Sequence, residues 1–361
     1  MSRSRYVWVF RRNRKQWEAA VERGEKSTEF WYGFKSLPQE LAGTYVEDEM
    51  QRWSRWLGFI DGWVAKRLGM GFALGAVFDH WQALRNAEVI VTTQDSGGLP
   101  VAWLKALGLL SAKIVYISQG LTDRIEQLDG REPWLRKQLK RAVAAVDILL
   151  VWGEGAITPL KKWLGSEAPQ MDHVPFGVNT DFWHVASESH LRKGNILSVG
   201  SDPWRDYRTL FKAVPDQSLD ILTKLPLNES DHSSIHRVEA ETDTDLRALY
   251  QKCSMVVVPV ADVAQPSGQS TVLQSLACGA PVVMTRTRGF WAEGILEDGV
   301  HCLMVPPEDP DALKRAVDRL QEDKELAERL GAAGRKVVEE KLSEKVMAAA
   351  IGQWMRQVGE A

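Results

Sequence analysis

Short apolar runs alternate along this chain with longer stretches whose apolar positions recur at helical spacing. In the first half the runs at 6–10, 88–92, 113–118 and 147–151 predict strands, each followed by a loop and a helix-like segment. In the second half the same pattern returns at 195–199, 218–223, 255–259, 281–285 and 302–305. Strand and helix in strict alternation predict parallel α/β units. Between 177 and 193 the alternation lapses into polar residues, which predicts a linker there. Beyond Pro310, the segments 311–322 and 324–341 predict polar, charge-laced helices, and 343–358 a terminal one.

Composition narrows the picture. A chain of 361 residues is long for one core and comfortable for two domains. A formal net charge of −3 argues against general nucleic-acid binding. The three cysteines, Cys253, Cys278 and Cys302, form no CxxC pair, so they are expected to be small apolar residues in a reducing compartment. The basic start has no apolar run of the kind a secretory signal needs, and no stretch approaches the ~20 apolar residues that span a bilayer. A cytoplasmic protein is expected.

The densest local signal lies at 265–310. A Ser-Gly loop opens an amphipathic stretch, and the turn Cys278-Gly279-Ala280-Pro281 leads into an apolar strand. A Gly-centred loop and a second strand then close at Pro306-Pro307. A loop that opens a helix aims unpaired N–H groups and the positive end of the helix dipole at a common point, where a phosphate would bind.

These residues resemble the donor-binding core of retaining glycosyltransferases of family 4. The likeness is carried by 273–283 (LQSLACGAPVV), Glu297-Asp298-Gly299 and 305–310 (VPPEDP), and upstream by 174–182 (VPFGVNTDF) and 196–200 (ILSVG). It spans roughly 142–348 and weakens sharply before residue 90. The resemblance implies a GT-B fold, that is, an α/β chain of two Rossmann-like domains facing a central cleft, with a C-terminal helix crossing back to the first. The division expected on that basis is an acceptor-binding domain at 1–185, a donor-binding domain at 186–342 and a terminal helix at 343–361. It further implies a nucleotide-diphosphate sugar as donor, a glycan, lipid-linked or small-molecule acceptor, and no required metal.

Ligands of open α/β sheets bind beyond the carboxyl ends of the strands. Gly200 and Ser201 follow one such strand. The family usually carries an Arg at the Ser201 position and a Lys a few residues later, near which Arg205 falls. Arg205 is therefore the candidate cation for the donor diphosphate and Lys224 the second, an ion pair of Arg205 with Asp202 or Asp206 being the plain alternative. The family's first motif Glu is replaced by Pro266 and its second by Gln274, whose amide oxygen could still accept from ribose hydroxyls. Ser267, Gly268, Gln269 and Ser270 offer N–H groups and hydroxyls to a phosphate or sugar. In the first half Asp95, beside Gly97-Gly98, is the candidate acceptor-orienting carboxylate, with a helix cap as the equal alternative. Gln119 stands where the family commonly has a His-Gly pair.

Two further patterns carry less. Gly153-Glu154-Gly155 lacks the third glycine of a dinucleotide fingerprint, and His232 with His236 lies in a polar run better read as a solvated loop than as a metal clasp. Fifteen tryptophans, most before residue 190, include Trp53, Trp56 and Trp63 in a run mixed with Arg and Lys. That run suits either a half-buried helix or one lying in a membrane interface at the inner leaflet. The function expected is a retaining glycosyltransferase. A sugar-nucleotide-binding protein without turnover, or another GT-B enzyme such as an epimerase or phosphorylase, would fit the missing motif residues.

Overall fold

The computed structural model describes residues 5–11, 13–47, 51–128, 130–186, 192–227 and 234–360. The chain divides into two compact units. The first comprises Met1–Ala19, Tyr32–Val174 and Ala348–Ala361, and the second Ala20–Trp31 and Pro175–Met347.

The first unit is built on a parallel sheet of β1 (Tyr6–Phe10), β2 (Thr44–Glu47), β3 (Val89–Thr92), β4 (Lys113–Ser118), β5 (Ile148–Val151) and β6 (Gln170–His173). Their order across the sheet is β2-β1-β3-β4-β5-β6. Its helices are α1 (Arg14–Glu22), α2 (Gln39–Ala42), α3 (Arg52–Leu68), α4 (Leu74–Asp79), α5 (Trp81–Arg85), α6 (Asp95–Ala106), α7 (Leu121–Gln127), α8 (Pro133–Ala144) and α9 (Ile157–Leu164). β3 and β5 are buried at every position, as expected of inner parallel strands covered on both faces.

The second unit holds β7 (Ile196–Val199), β8 (Leu219–Leu222), β9 (Ile235–Arg237), β10 (Met255–Val258), β11 (Val282–Thr285) and β12 (Leu303–Val305), in the order β12-β11-β10-β7-β8-β9. Its helices are α10 (Tyr207–Ala213), α11 (Asp243–Lys252), α12 (Gln269–Ala277), α13 (Pro310–Glu322) and α14 (Lys324–Lys341), and α15 (Glu344–Glu360) closes the chain. Local chemistry sets the boundaries. Asp206, Asp309 and Asp323 each accept a backbone N–H at a helix start. Thr242 and Asp245 form a full capping box on α11.

All nine strands expected from the sequence are present. The three it did not predict, β2, β6 and β9, lie at sheet edges and are mostly half-exposed, so no apolar run marks them. β9 includes His236, which therefore stands on an edge strand and not in a loop, while His232 lies outside the described residues. Residues 187–191 of the expected linker also lie outside them. α12 is not amphipathic: eight of its nine residues are buried, because both α14 and the sheet cover it. The cysteines are free and buried, and burial pushes each thiol up to about 12. No helix among the described residues is long and apolar enough to cross a membrane.

Candidate functional site

The second unit gathers its polar residues where β7 and β10 end and α12 begins. Gly200 follows β7 with φ +153°, and a Cβ there would lie 1.9 Å from Arg205 Nε. Only glycine lets the Arg205 side chain cross this point. Gly268, the residue before α12, has φ +81°, and its Cβ would come within 2.9 Å of Arg205 Nη1. The guanidinium is thus sandwiched between two glycines.

Arg205 does make the ion pair foreseen with Asp202, at 2.9 Å from Nε to Oδ2, but its side chain is only 3% exposed. The cation is buried, while its Asp202 partner is about one third exposed (32%). Nη2 donates to Thr271 Oγ1 at 3.0 Å, whereas Nη1 has no partner among the described residues. Asp202 is held in turn by the Ser267 hydroxyl, which donates to its Oδ1 at 2.7 Å. Asp206 instead caps α10, accepting from Thr209 N at 3.0 Å. A buried cation with an unused N–H, beside a helix start that no side chain caps, is an arrangement suited to an anion.

Lys224 is exposed, and its backbone N–H donates to Ser201 Oγ at 2.8 Å, which ties the loops after β7 and β8 together. Gln269 is buried and Ser270 half-buried at the start of α12.

Gln274 lies within α12 and is 6% exposed. Its Nε2 donates to Glu29 Oε1 at 2.9 Å, and its Oε1 accepts from the Tyr250 hydroxyl at 3.4 Å. Glu29 is a residue that sequence reasoning missed. It belongs to Ala20–Trp31, the early segment that folds as part of the second unit. Fully buried, it accepts from Trp183 Nε1 at 2.9 Å and from the Ser27 hydroxyl. Burial raises its pKa against the pull of these hydrogen bonds. The segment is anchored further by Asp243, which accepts from Ser27 N and Lys26 Nζ, both at 2.9 Å. The only available signal was indirect: a Gln where the motif expects a Glu leaves a buried amide in need of an acceptor.

In the first unit Asp95 opens α6, but its carboxylate does not cap that helix. It accepts instead from the Tyr116 hydroxyl at 2.8 Å and from Gly120 N at 2.9 Å, joining α6 to the loop after β4. It is 8% exposed, and burial raises its pKa. Gly98 serves the fold: a Cβ there would meet the Tyr116 ring at 2.4 Å. Gln119 donates from Nε2 to the Tyr32 hydroxyl at 2.7 Å and to Thr93 O at 2.9 Å. Gly153 precedes a short 3-10 turn at Glu154–Ala156, ahead of α9.

Residues 199–323, which include the Arg205 site and α12, match the family model described as Glycosyl transferases group 1. No curated protein matches the chain. Solved structures align over nearly the whole chain. Sucrose-phosphate synthase from Thermosynechococcus elongatus aligns over 98% of this chain and 98% of its own, with TM-score 0.68 at 16% identity. Anabaena HepE, in complex with UDP and glucose, aligns over 98% and 99%, with TM-score 0.65 at 14% identity. A glycosyltransferase from Rickettsia africae aligns over 99% of each chain, with TM-score 0.62 at 12% identity. At such identities the likeness carries the fold, which is the GT-B fold.

Proposed function

We propose, for a chain that is a glycosyltransferase by its group 1 domain and its GT-B fold, that it moves a hexose from a nucleoside-diphosphate sugar to an acceptor with retention of anomeric configuration. HepE is solved with UDP-glucose, so a UDP-sugar is the donor of choice. The second unit takes the donor and the first the acceptor. One observation carries the reading: Arg205, buried between two glycines at the start of α12, keeps an N–H unpaired. The donor diphosphate completes that cation's shell, with Lys224, Ser201 and the 267–270 loop beside it.

Breaking the anomeric C–O bond leaves negative charge on the terminal phosphate. A preorganised guanidinium and the helix dipole stabilise that charge as it develops. The acceptor oxygen attacks from the same face, forms the new C–O bond and loses its proton to the departing phosphate, so that no protein nucleophile is required. Asp95 then acts through Tyr116 and the 119–120 loop to shape the acceptor side. Gln274 lines the nucleotide side with its orientation set by Glu29. The acceptor is a glycan or a lipid-linked saccharide, and the protein works in the cytoplasm at a membrane surface.

The deciding experiment incubates the protein with UDP-glucose and follows thermal stabilisation and UDP release. Stabilisation with release supports transfer, and the anomeric proton of the product, read by NMR, must keep the donor's configuration. Stabilisation without release would instead favour a binding protein. The Gln274 amide, already bonded through both its nitrogen and its oxygen, and Pro266 at a motif Glu position lend that second reading its support.

A further inference from the structure

The first unit contains a cavity of about 170 Å³ that the chemistry above does not use. It is walled by Ile60 and Trp63 of α3, Leu99 and Trp103 of α6, and Trp134 and Leu139 of α8. Its one polar lining side chain, Gln138, is turned to Trp103, whose Nε1 donates to the amide oxygen at 3.4 Å. An apolar pocket of such size, half open to the surface, has room for a molecule on the scale of benzene or a short length of hydrocarbon.

The rim is unusual for a soluble surface. α3 turns one apolar side inward, through Leu57, Val64 and Leu68, and another outward: Trp56 is 72% and Phe59 76% exposed. Loose packing does not explain this. Asp61 of α3 accepts from Leu74 N and Gly75 N at the start of α4, and Asp79 of α4 accepts from Trp53 N and Ser54 N at the start of α3. The two helices cap each other, which fixes the outward face. Around it cations outnumber acids, although Glu132 pairs with Arg67 and Glu167 with Lys140. α3 carries Arg52, Arg55, Lys66 and Arg67 against one acid, the capping Asp61, and α8 carries four cations and no acid, on a chain whose net charge is −3. Arg67 also lies 5.0 Å over the Trp63 ring. Tryptophans beside cations, around an apolar cavity, complement the headgroup and acyl layers of an anionic bilayer.

We propose that the α3–α8 face docks on an anionic lipid surface and that the cavity takes a hydrocarbon chain of one lipid. The inference deepens the acceptor side of the proposed function and rests on it for one step. Leu99 and Trp103 lie one and two turns beyond Asp95 on α6, about 12 Å along the axis for the farther. The cavity wall and the candidate acceptor carboxylate therefore share one helix.

The test compares wild type with Trp63→Glu/Trp134→Glu, two half- to mostly exposed positions that leave the core intact (48% and 61% exposed). Vesicles of phosphatidylcholine with one quarter phosphatidylglycerol should co-sediment wild type and bind the variant at least about tenfold more weakly. Decyl phosphate should raise the melting temperature of wild type only, whereas inorganic phosphate should act on both proteins alike. Equal vesicle binding by both proteins, or no binding by wild type, overturns the proposal. So does a wild-type dimer in light scattering that the variant converts to monomer, since a second copy would then be the occupant. UDP-glucose stabilisation, measured on both proteins, separates the two readings: its loss in wild type breaks the donor assignment and leaves the vesicle result standing.

Discussion

In the second unit α12 begins behind β10 at Gly268, and in the first α6 begins behind β3 at Asp95. Both starts pair a central parallel strand with a mostly buried helix, glycines and one buried charged side chain. The two charges are treated differently. Asp95 is surrounded by donors from its own unit, and Gly98 makes room for the ring that supplies one of them. Arg205 sits between two glycines with an ion pair on one side and an unused N–H on another. A buried charge whose partners are complete belongs to the architecture. One left a partner short is prepared for something that arrives later.

The sharpest way to break this contrast is Arg205→Ala. Removing the cation should lower UDP-glucose turnover by about 10²–10³-fold, as loss of a preorganised transition-state donor does, with little change in melting temperature. Asp95→Asn should do the reverse, shifting stability more than turnover. A large loss of turnover in Asp95→Asn with an unchanged melting curve would mean that the carboxylate acts in the chemistry.

Next in size is an exchange between Glu29 and Gln274. Gln274→Glu alone sets two buried carboxylates against each other, and Glu29→Gln alone sets two amides together. Each should weaken UDP binding, and the double exchange Glu29→Gln/Gln274→Glu should recover most of the loss because it restores one carboxylate facing one amide. Titration calorimetry with UDP reads the cycle, and strictly additive losses would show that the two side chains are not coupled.

A smaller effect concerns pH. Glu29 and Asp95 have raised pKa values, so the folded state holds their protons more tightly than the unfolded chain does. Their contribution favours folding below the ordinary carboxylate range and is lost as pH rises through the raised values. Denaturant midpoints of Glu29→Gln should therefore gain on wild type as pH increases from about 4, and a constant difference would remove the buried charge from the account. Smallest of all should be Lys224→Ala. An exposed lysine held only by its backbone is expected to cost less than about tenfold in turnover, in the range of solvent-screened charges.

How much of this was readable in the sequence follows burial. Inner strands such as β3, β5 and β10 are buried at every position and almost wholly apolar, and were found directly. β2, β6 and β9 are edge strands whose half-exposed residues leave no apolar run. Gly200 and Arg205 could be named because they follow one apolar strand within a few residues, and Gly268 because the family resemblance marks the helix start within 265–310. Glu29 could not be, because its partner Gln274 lies 245 residues away and no local periodicity links EKSTEFW to a helix so distant in the chain. The cysteines needed only composition, and their burial with raised thiol pKa values fits inert packing residues.

The segment Ala20–Trp31 also bears on how the protein is made. It leaves the ribosome early, yet the amide and the indole that its glutamate holds arrive much later, Gln274 roughly 12–50 s afterwards at ordinary rates of chain growth. Until then Glu29 is an exposed, solvated carboxylate on an unanchored stretch, and the second unit's interior cannot close. The unit encoded last must recruit a piece synthesised first. A fragment beginning at Pro175 would leave Trp183 and Gln274 buried without their acceptor.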